Sequence, residues 1–332
     1  MTTEQELSHP FVAVHVQSTG IHPSTGRLLT LDAVTFDNAG SSGEDFHTIF
    51  NTGGDPGPVH RHGVPYDEFG QAQRFSRHLK TLDRLIDGRT LIVHDAPQVW
   101  GFIVSEARRA MNAAARANRS RNRGRGRRRQ RVGHVPQPEA IVDTLATTRR
   151  RGIALTDARL YAVAEKVQVA APSPVASVAR AQRPETETSR EATLVLIELY
   201  RTLSGSGPVV SFSPKELTAD RFGLQRTHAR VAAEKAEPEH DNPGTYTREK
   251  GLAAGMEFVV SDDVEIAPDE LITAGREAGL TYTEKLTRTA SLVVTNIRSD
   301  LRGKAMHAHR KDIPLVSDKD FLAAVAQLNA GR

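Results

Sequence analysis

Apolar and β-branched residues crowd the stretch 11–20, where Phe11, Val12, Ala13, Val14 and Val16 precede Gly20. That is the pattern of a buried strand closed by a turn. Residues 27–36 and, more briefly, 45–50 alternate apolar with polar positions around a Gly/Ser/Asn turn at 38–43, which predicts two further strands. A loop with Pro56 and Pro58 follows. Phe75, Leu79, Leu82 and Ile86 then recur at helical spacing, and Gly88 ends that helix. Residues 90–94 read as a fourth buried strand, and Trp100, Ile103, Ala107 and Met111 as a helix face. Farther on, Ala192, Val195, Leu196, Leu199 and Leu203 lie on one broad face of a helix over 191–203.

A break at 204–208 opens a stretch, to about residue 254, that is rich in Pro, Glu, Lys and Gly and has no sustained periodicity. It reads as a linker, with a helix at 226–236 its one candidate element. Periodicity then returns, with strands at 256–260, 291–295 and 313–316. A helix begins at Pro268, carries Leu271, Ile272 and Ala278, and ends at Gly279. A short helix covers 304–309, and Ser317 with Asp320 opens a last one bearing Phe321, Leu322, Val325 and Leu328. Strands alternating with helices predict a small parallel sheet with helices on its faces.

At 332 residues the chain has room for one domain of about 200 residues and a smaller second one. It contains no Cys, which excludes disulfides, thiolate zinc sites and cysteine nucleophiles. Its first ten residues are polar and no long apolar run occurs, so the expected location is the cytoplasm, nucleoid-associated, without a membrane partner. Lys and Arg total 44 against 40 acids, an excess too small to name a partner, but its distribution is uneven. Arg116, Arg119, Arg121, Arg123, Arg125, Arg127, Arg128, Arg129 and Arg131 form a run without acids or large apolar residues. Such a segment cannot bury a core and is expected as a mobile loop. It is either a phosphate-binding arm for DNA, with RNA as an alternative, or a solvated loop with no dedicated partner. Without interleaved aromatics it offers no stacking platform.

The stretch 11–20 resembles the first motif of the DEDD (DnaQ-like) 3′–5′ exonuclease superfamily, the fold of proofreading epsilon subunits of bacterial DNA polymerase III. In that motif an Asp and a Glu precede Thr-Gly; here His15 and Gln17 hold their places. Residues 62–68 resemble the family's His-Gly entry to its next helix. His94 and Ala96 match the second motif, and Val99 stands at its acid. Residues 140–145 match a strand end whose Asp143 has a supporting role in the family, and 155–164 the helix after it. Aligning the third motif on Ala192 places Glu191 at the last acid and Thr186 at the general-base His. The resemblance implies an α/β, ribonuclease H-like exonuclease fold, a mixed sheet with helices, over residues 10–204 after a polar tail at 1–9, with the basic run inserted near 116–131. It also implies a two-metal site for Mg²⁺ or Mn²⁺. Several carboxylates are needed to hold two such ions, and one acid in four remains. The expectation is a catalytically inactive site with no cofactor. Asp95, His94 and Asp143 are the nearest substitute ligands.

Residues 255–332 resemble a BRCT domain, a small parallel α/β fold, after a linker at 205–254. Gly279, the strand at 289–294, Gly303-Lys304-Ala305 and residues 313–321 carry the match, with Phe321 in place of the family's Trp. In phosphate-binding members a Ser after the first strand and a Lys opening the second helix share the anion. Ser261 and Lys304 occupy those positions, beside an Asp262 that would repel it. The combined expectation is a nucleic-acid-binding or scaffolding protein of DNA replication or repair, with replication or repair proteins as BRCT partners. The alternatives are an active exonuclease with substituted ligands and a phosphoprotein adapter.

Overall fold

The computed structural model describes residues 8–121 and 131–331. The chain divides into two compact units, residues 1–145 with 158–225, and residues 146–157 with 226–332.

Among the described residues the first unit is built on a six-stranded sheet. Its strands are β1 (Phe11–Ser18), β2 (Leu28–Phe36), β3 (Ser42–Ile49), β4 (Thr90–Val93), β5 (Ala140–Asp143) and β6 (Ser211–Phe212), in the order β3-β2-β1-β4-β5-β6. β1 pairs antiparallel with β2, His15 opposite Asp32, and parallel with β4, which in turn runs parallel to β5. A mixed sheet in this order, with β2 antiparallel to its neighbours, is the ribonuclease H-like α/β fold. Alternation along β1 sorts its side chains. Val12, Val14 and Val16 join the core formed with helices α1 (Leu79–Ile86) and α2 (Ala96–Arg121). His15 and Gln17 therefore face the other side, where the long helix α4 (Glu185–Gly205) packs on β1 and β2. A shorter helix, α3 (Leu160–Lys166), precedes it in the chain.

Several boundaries differ from those read in the sequence. α4 begins at Glu185, before residue 191, because its buried face extends N-terminally from Ala192 through Ser189 to Glu185, at steps of three and four. Met111 is exposed, whereas Trp100, Ile103 and Ala107 are buried as expected. The first half of the expected linker supplies β6, which pairs antiparallel with β5 through Ile141 and Phe212. α2 runs on to Arg121, so Arg116 and Arg119 lie on a helix, both exposed, instead of in a loop. Arg131 is also exposed. Arg123, Arg125, Arg127, Arg128 and Arg129, and the side chain of Arg121, lie outside the described residues.

The second unit holds helix α5 (His228–Lys235), capped by the Thr227 hydroxyl, and a parallel sheet of four strands among the described residues. The strands are β7 (Glu257–Val260), β8 (Thr281–Tyr282), β9 (Leu292–Val294) and β10 (Leu315–Val316), in the order β8-β7-β9-β10. Helices α6 (Pro268–Glu277), α7 (Gly303–His309) and α8 (Asp318–Ala330) connect or follow them. Pro268 starts α6, and Gly279, at φ 77°, turns the chain just beyond it. Ser317 caps α8 by accepting from the Asp320 N–H at 3.1 Å. Phe321 is fully buried and stacks on Phe258 with ring centroids 5.2 Å apart. β8 is the strand missed in the sequence, since two residues carry no period.

Candidate functional site

The C-terminal half of β1 and the first turns of α4 build the site. Asp32, fully buried opposite His15, is held by Arg190, whose Nε and Nη2 each donate to it at 3.0 Å; Arg190 also pairs with Asp45. His15 lies among Asp32, His94 and Arg180. Burial pushes its imidazole down to about 4, against the pull of Asp32 and with help from His94 and Arg180. It is therefore neutral at pH 7.

Gln17 Nε2 donates to Glu185 Oε1 at 2.9 Å, and the Ser189 hydroxyl donates to the same oxygen. The other oxygen of Glu185 lies 2.8 Å from His47 Nε2. Glu185 is buried, so the carboxylate bonded to Gln17 sits among an amide, a hydroxyl and an imidazole. Sequence reasoning missed Glu185 and Ser189, although helical spacing counted back from Ala192 reaches both.

Val99 sits inside the α2 core cluster and offers no ligand. The turn before α2 is made by Asp95 at φ 69°. Asp143 closes that turn: it accepts from the N–H groups of Asp95 at 3.2 Å, Ala96 at 2.8 Å and Leu145 at 2.9 Å. It thus satisfies orphan donors at the start of a helix. His94 Nε2 lies 2.8 Å from the Ala158 carbonyl and so carries the proton, while Nδ1 faces the Thr144 hydroxyl at 2.8 Å. Both side chains brace the fold.

The structure does not bring Thr186 and Glu191 to this point. Thr186 is exposed, and Glu191 pairs with Arg183 at 2.9 Å, beside a further Arg183–Glu187 contact at 3.7 Å. The physical reason is phase: on α4 the face toward β1 is 185, 189 and 192, and position 191 is about a third of a turn from its centre.

Beside these residues opens a cleft of about 470 Å³. Its lining includes Arg61, Arg159, Arg180 and Arg183, the imidazoles of His15, His60 and His62, and Tyr161; among the described residues it includes neither Asp nor Glu. The Arg180 guanidinium lies 4.4 Å over the Tyr161 ring. His62 is structural: Nε2 donates to the Gly57 carbonyl at 3.1 Å, and Nδ1 accepts from the Val64 N–H. The donor set does not fit the Mg²⁺ or Mn²⁺ pair that the family resemblance implies. Those ions take oxygen ligands, chiefly carboxylates, whereas this site offers a neutral imidazole, an amide and two carboxylates already engaged, Asp32 by Arg190 and Glu185 by Gln17 and Ser189. Among the described residues no group of three or more His, Asp or Glu is placed to hold a metal.

In the second unit Ser261 is half-buried, and its N–H donates to the Val294 carbonyl at 2.9 Å. Lys304 Nζ donates to the Val260 carbonyl at 3.1 Å and to Glu284 Oε1 at 2.9 Å. Glu284 also accepts from Arg230 Nε at 2.7 Å and from the Tyr282 hydroxyl at 2.5 Å. Asp262 accepts from Arg230 at 3.0 Å and Arg226 at 3.3 Å. Burial opposes ionisation of Glu284, but Lys304, Arg230 and Arg226 outweigh it and hold the carboxyl well below its usual range. Burial lowers Lys304, with Glu284 countering it. The Lys304 ammonium is thus already matched by a buried acid.

No family model matches the chain, and no curated protein matches it in sequence. Solved structures similar to it include a full-length 3′-exonuclease, at 9% identity and a TM-score of 0.44 over 67% of this chain and 91% of that one. Another is a 3′-exonuclease described with 3′-end-specific recognition of a histone mRNA stem-loop, at 9% identity and 0.42, over 63% and 93%. A third is exonuclease I of E. coli with an oligonucleotide, at 12% identity and 0.38, over 59% of this chain and 40% of that one.

Proposed function

We propose that this chain is a nucleic-acid-binding or scaffolding protein of DNA replication or repair whose first unit holds a strand without hydrolysing it. The observation that carries the reading is the cleft beside β1. Two-metal hydrolysis needs carboxylates converging on two cations. Here His15, Gln17 and Val99 fill the acid positions, Glu185 is enclosed, and guanidinium groups line the space. The local field attracts anions. The exposed Arg119 and Arg131 flank the basic run, whose guanidiniums add phosphate contacts in this reading.

For the second unit we propose a BRCT-type partner-binding role, supported by its all-parallel β8-β7-β9-β10 order and the Phe321 core. The pairing of Lys304 with Glu284 weighs against Ser261 and Lys304 as a ready phosphate pocket.

The test uses purified full-length protein with labelled single-stranded and primer-template DNA, in Mg²⁺, Mn²⁺ or EDTA, at two salt concentrations. The expected result is salt-sensitive binding that EDTA leaves intact, with no shortening of the strand. Metal-dependent shortening that disappears in Glu185→Gln would establish an active nuclease built on substitute ligands. Charge reversal across residues 121–131 separates the adapter reading: it weakens binding if DNA is the partner and changes nothing if the second unit does all the binding.

A further inference from the structure

The cleft beside β1 allows the nucleic-acid reading, on which this inference rests, to be narrowed to one chemical group. We propose that the cleft binds the terminal phosphate of a nucleotide strand directly on side chains, without a divalent metal.

Three observations converge on it. Arg61 and Arg180 line the space, with no Asp or Glu among its described lining, while Arg183 beside them is matched from outside by Glu187 and Glu191. Guanidinium forks pair with phosphate oxygens and are the side chains best suited to do so without a metal. Tyr161 lines the same space at 5% exposure, and its buried hydroxyl has no hydrogen-bond partner among the described residues. A buried phenol without an acceptor is costly unless a ligand supplies one. A phosphate oxygen reached beside Arg180, whose guanidinium already lies over the ring, meets that need. The neutral His15 at the cleft adds a ring N–H donor without a competing negative charge.

The volume of about 470 Å³ is that of a small-molecule site and suits one nucleotide, not a duplex. A terminal phosphomonoester carries nearly two negative charges at neutral pH and three free oxygens. An internal phosphodiester carries one charge and offers two. Several converging donors therefore favour the strand end.

The experiment is fluorescence anisotropy of full-length protein in EDTA. Single-stranded oligonucleotides of one sequence end in a 3′-phosphate, a 5′-phosphate or hydroxyls at both ends, and deoxyadenosine monophosphate serves as competitor. One phosphorylated end should bind about tenfold tighter than the hydroxyl form. Arg180→Gln and Arg61→Gln should each remove most of that preference, Arg180→Lys should restore part of it, and the distant Arg201→Gln should leave it unchanged. Competition by the mononucleotide at equal potency would mean that the cleft takes free nucleotides, which overturns the strand-end assignment. Equal binding of phosphate and hydroxyl ends, or a preference that survives in the Arg61→Gln/Arg180→Gln double variant, overturns the cleft inference while the nucleic-acid reading stands. A preference that appears only with Mg²⁺ overturns its metal independence. Absence of binding to every oligonucleotide removes both.

Discussion

The two units assemble nearly the same charged residue types and reach opposite electrostatic results. In the second unit Arg226, Arg230 and Lys304 close on Asp262 and Glu284, so cations meet anions in one network around the buried Arg230–Glu284 pair. In the first unit the arginines beside β1 line a cleft to which, among the described residues, no acid contributes. Arg230 is structural because carboxylates match it, whereas Arg61 and Arg180 are, in the reading proposed above, the groups that meet an anionic ligand. Residue counts cannot reveal this distinction; substitutions in each unit can.

The largest effect is expected at Arg230, which has 5% exposure and pairs with both Glu284 and Asp262. Arg230→Ala leaves two carboxylates short of a buried partner and should destabilise the second unit by about 3–5 kcal/mol. Trp100, the sole tryptophan, lies in the first unit and provides the internal control. In urea the tryptophan transition should stay in place while the circular-dichroism signal gains an earlier one. Because Glu284 titrates well below its ordinary 4.5, its contribution is fully present above about pH 4.5 and is lost as pH falls toward the depressed folded value. A single unshifted transition in Arg230→Ala would show that the network carries no stability.

His15 supplies the matching test in the first unit. It is neutral when folded and titrates near 4, whereas the unfolded chain takes up the proton near 6.5. The unfolded state therefore binds more protons between those values, and stability falls as pH drops from 6.5 toward 4. The full span is worth about 3 kcal/mol. His15→Gln should flatten that slope in the Trp100 transition; an equal slope in both proteins would place the pH sensitivity elsewhere.

Asp143 tests a smaller claim, that an acid in the family pattern serves the fold alone here. Asp143→Ala removes the acceptor for two backbone N–H groups at the β4–α2 turn and for that of Leu145 just after β5, and should cost about 1–2 kcal/mol, read from the Trp100 melt, with strand binding unchanged once the protein is folded.

The sheets and most helices were legible because β1 and α4 carry uninterrupted apolar periods. β8 and β6 were not, since each is defined by the strand it pairs with and not by a pattern of its own. For the site, the apolar periods put His15 and Gln17 on a strand and Val99 beside a helix face, and the structure has them on β1 and α2. Around residues 185–191 few anchors remain, and whether Glu185 or Glu191 reaches Gln17 turns on a phase difference visible only when the helix meets β1. The arginine-lined cleft was not legible at all. Arg61, Arg159 and Arg180 come from three separate segments without a shared pattern, and only the fold brings them together.

The smallest expected effect is at Glu191, and it separates the two readings of that residue most sharply. If Glu191 were a catalytic acid, Glu191→Ala would abolish a metal-dependent activity and leave strand affinity little changed. The structure instead ties it to Arg183 at 39% and 30% side-chain exposure, a surface pair worth at most about 1 kcal/mol. Removing it leaves Arg183 at the cleft with one fewer negative partner, so the affinity for a phosphate-ended oligonucleotide should rise, by about two- to threefold at low salt. The gain should fade as salt is raised, because the added attraction acts between exposed charges. Anisotropy titrations of both proteins at two salt concentrations read this directly. A loss of affinity would show that Glu191 holds Arg183 in the position the ligand needs, and the matched-pair account of that arginine would have to be abandoned.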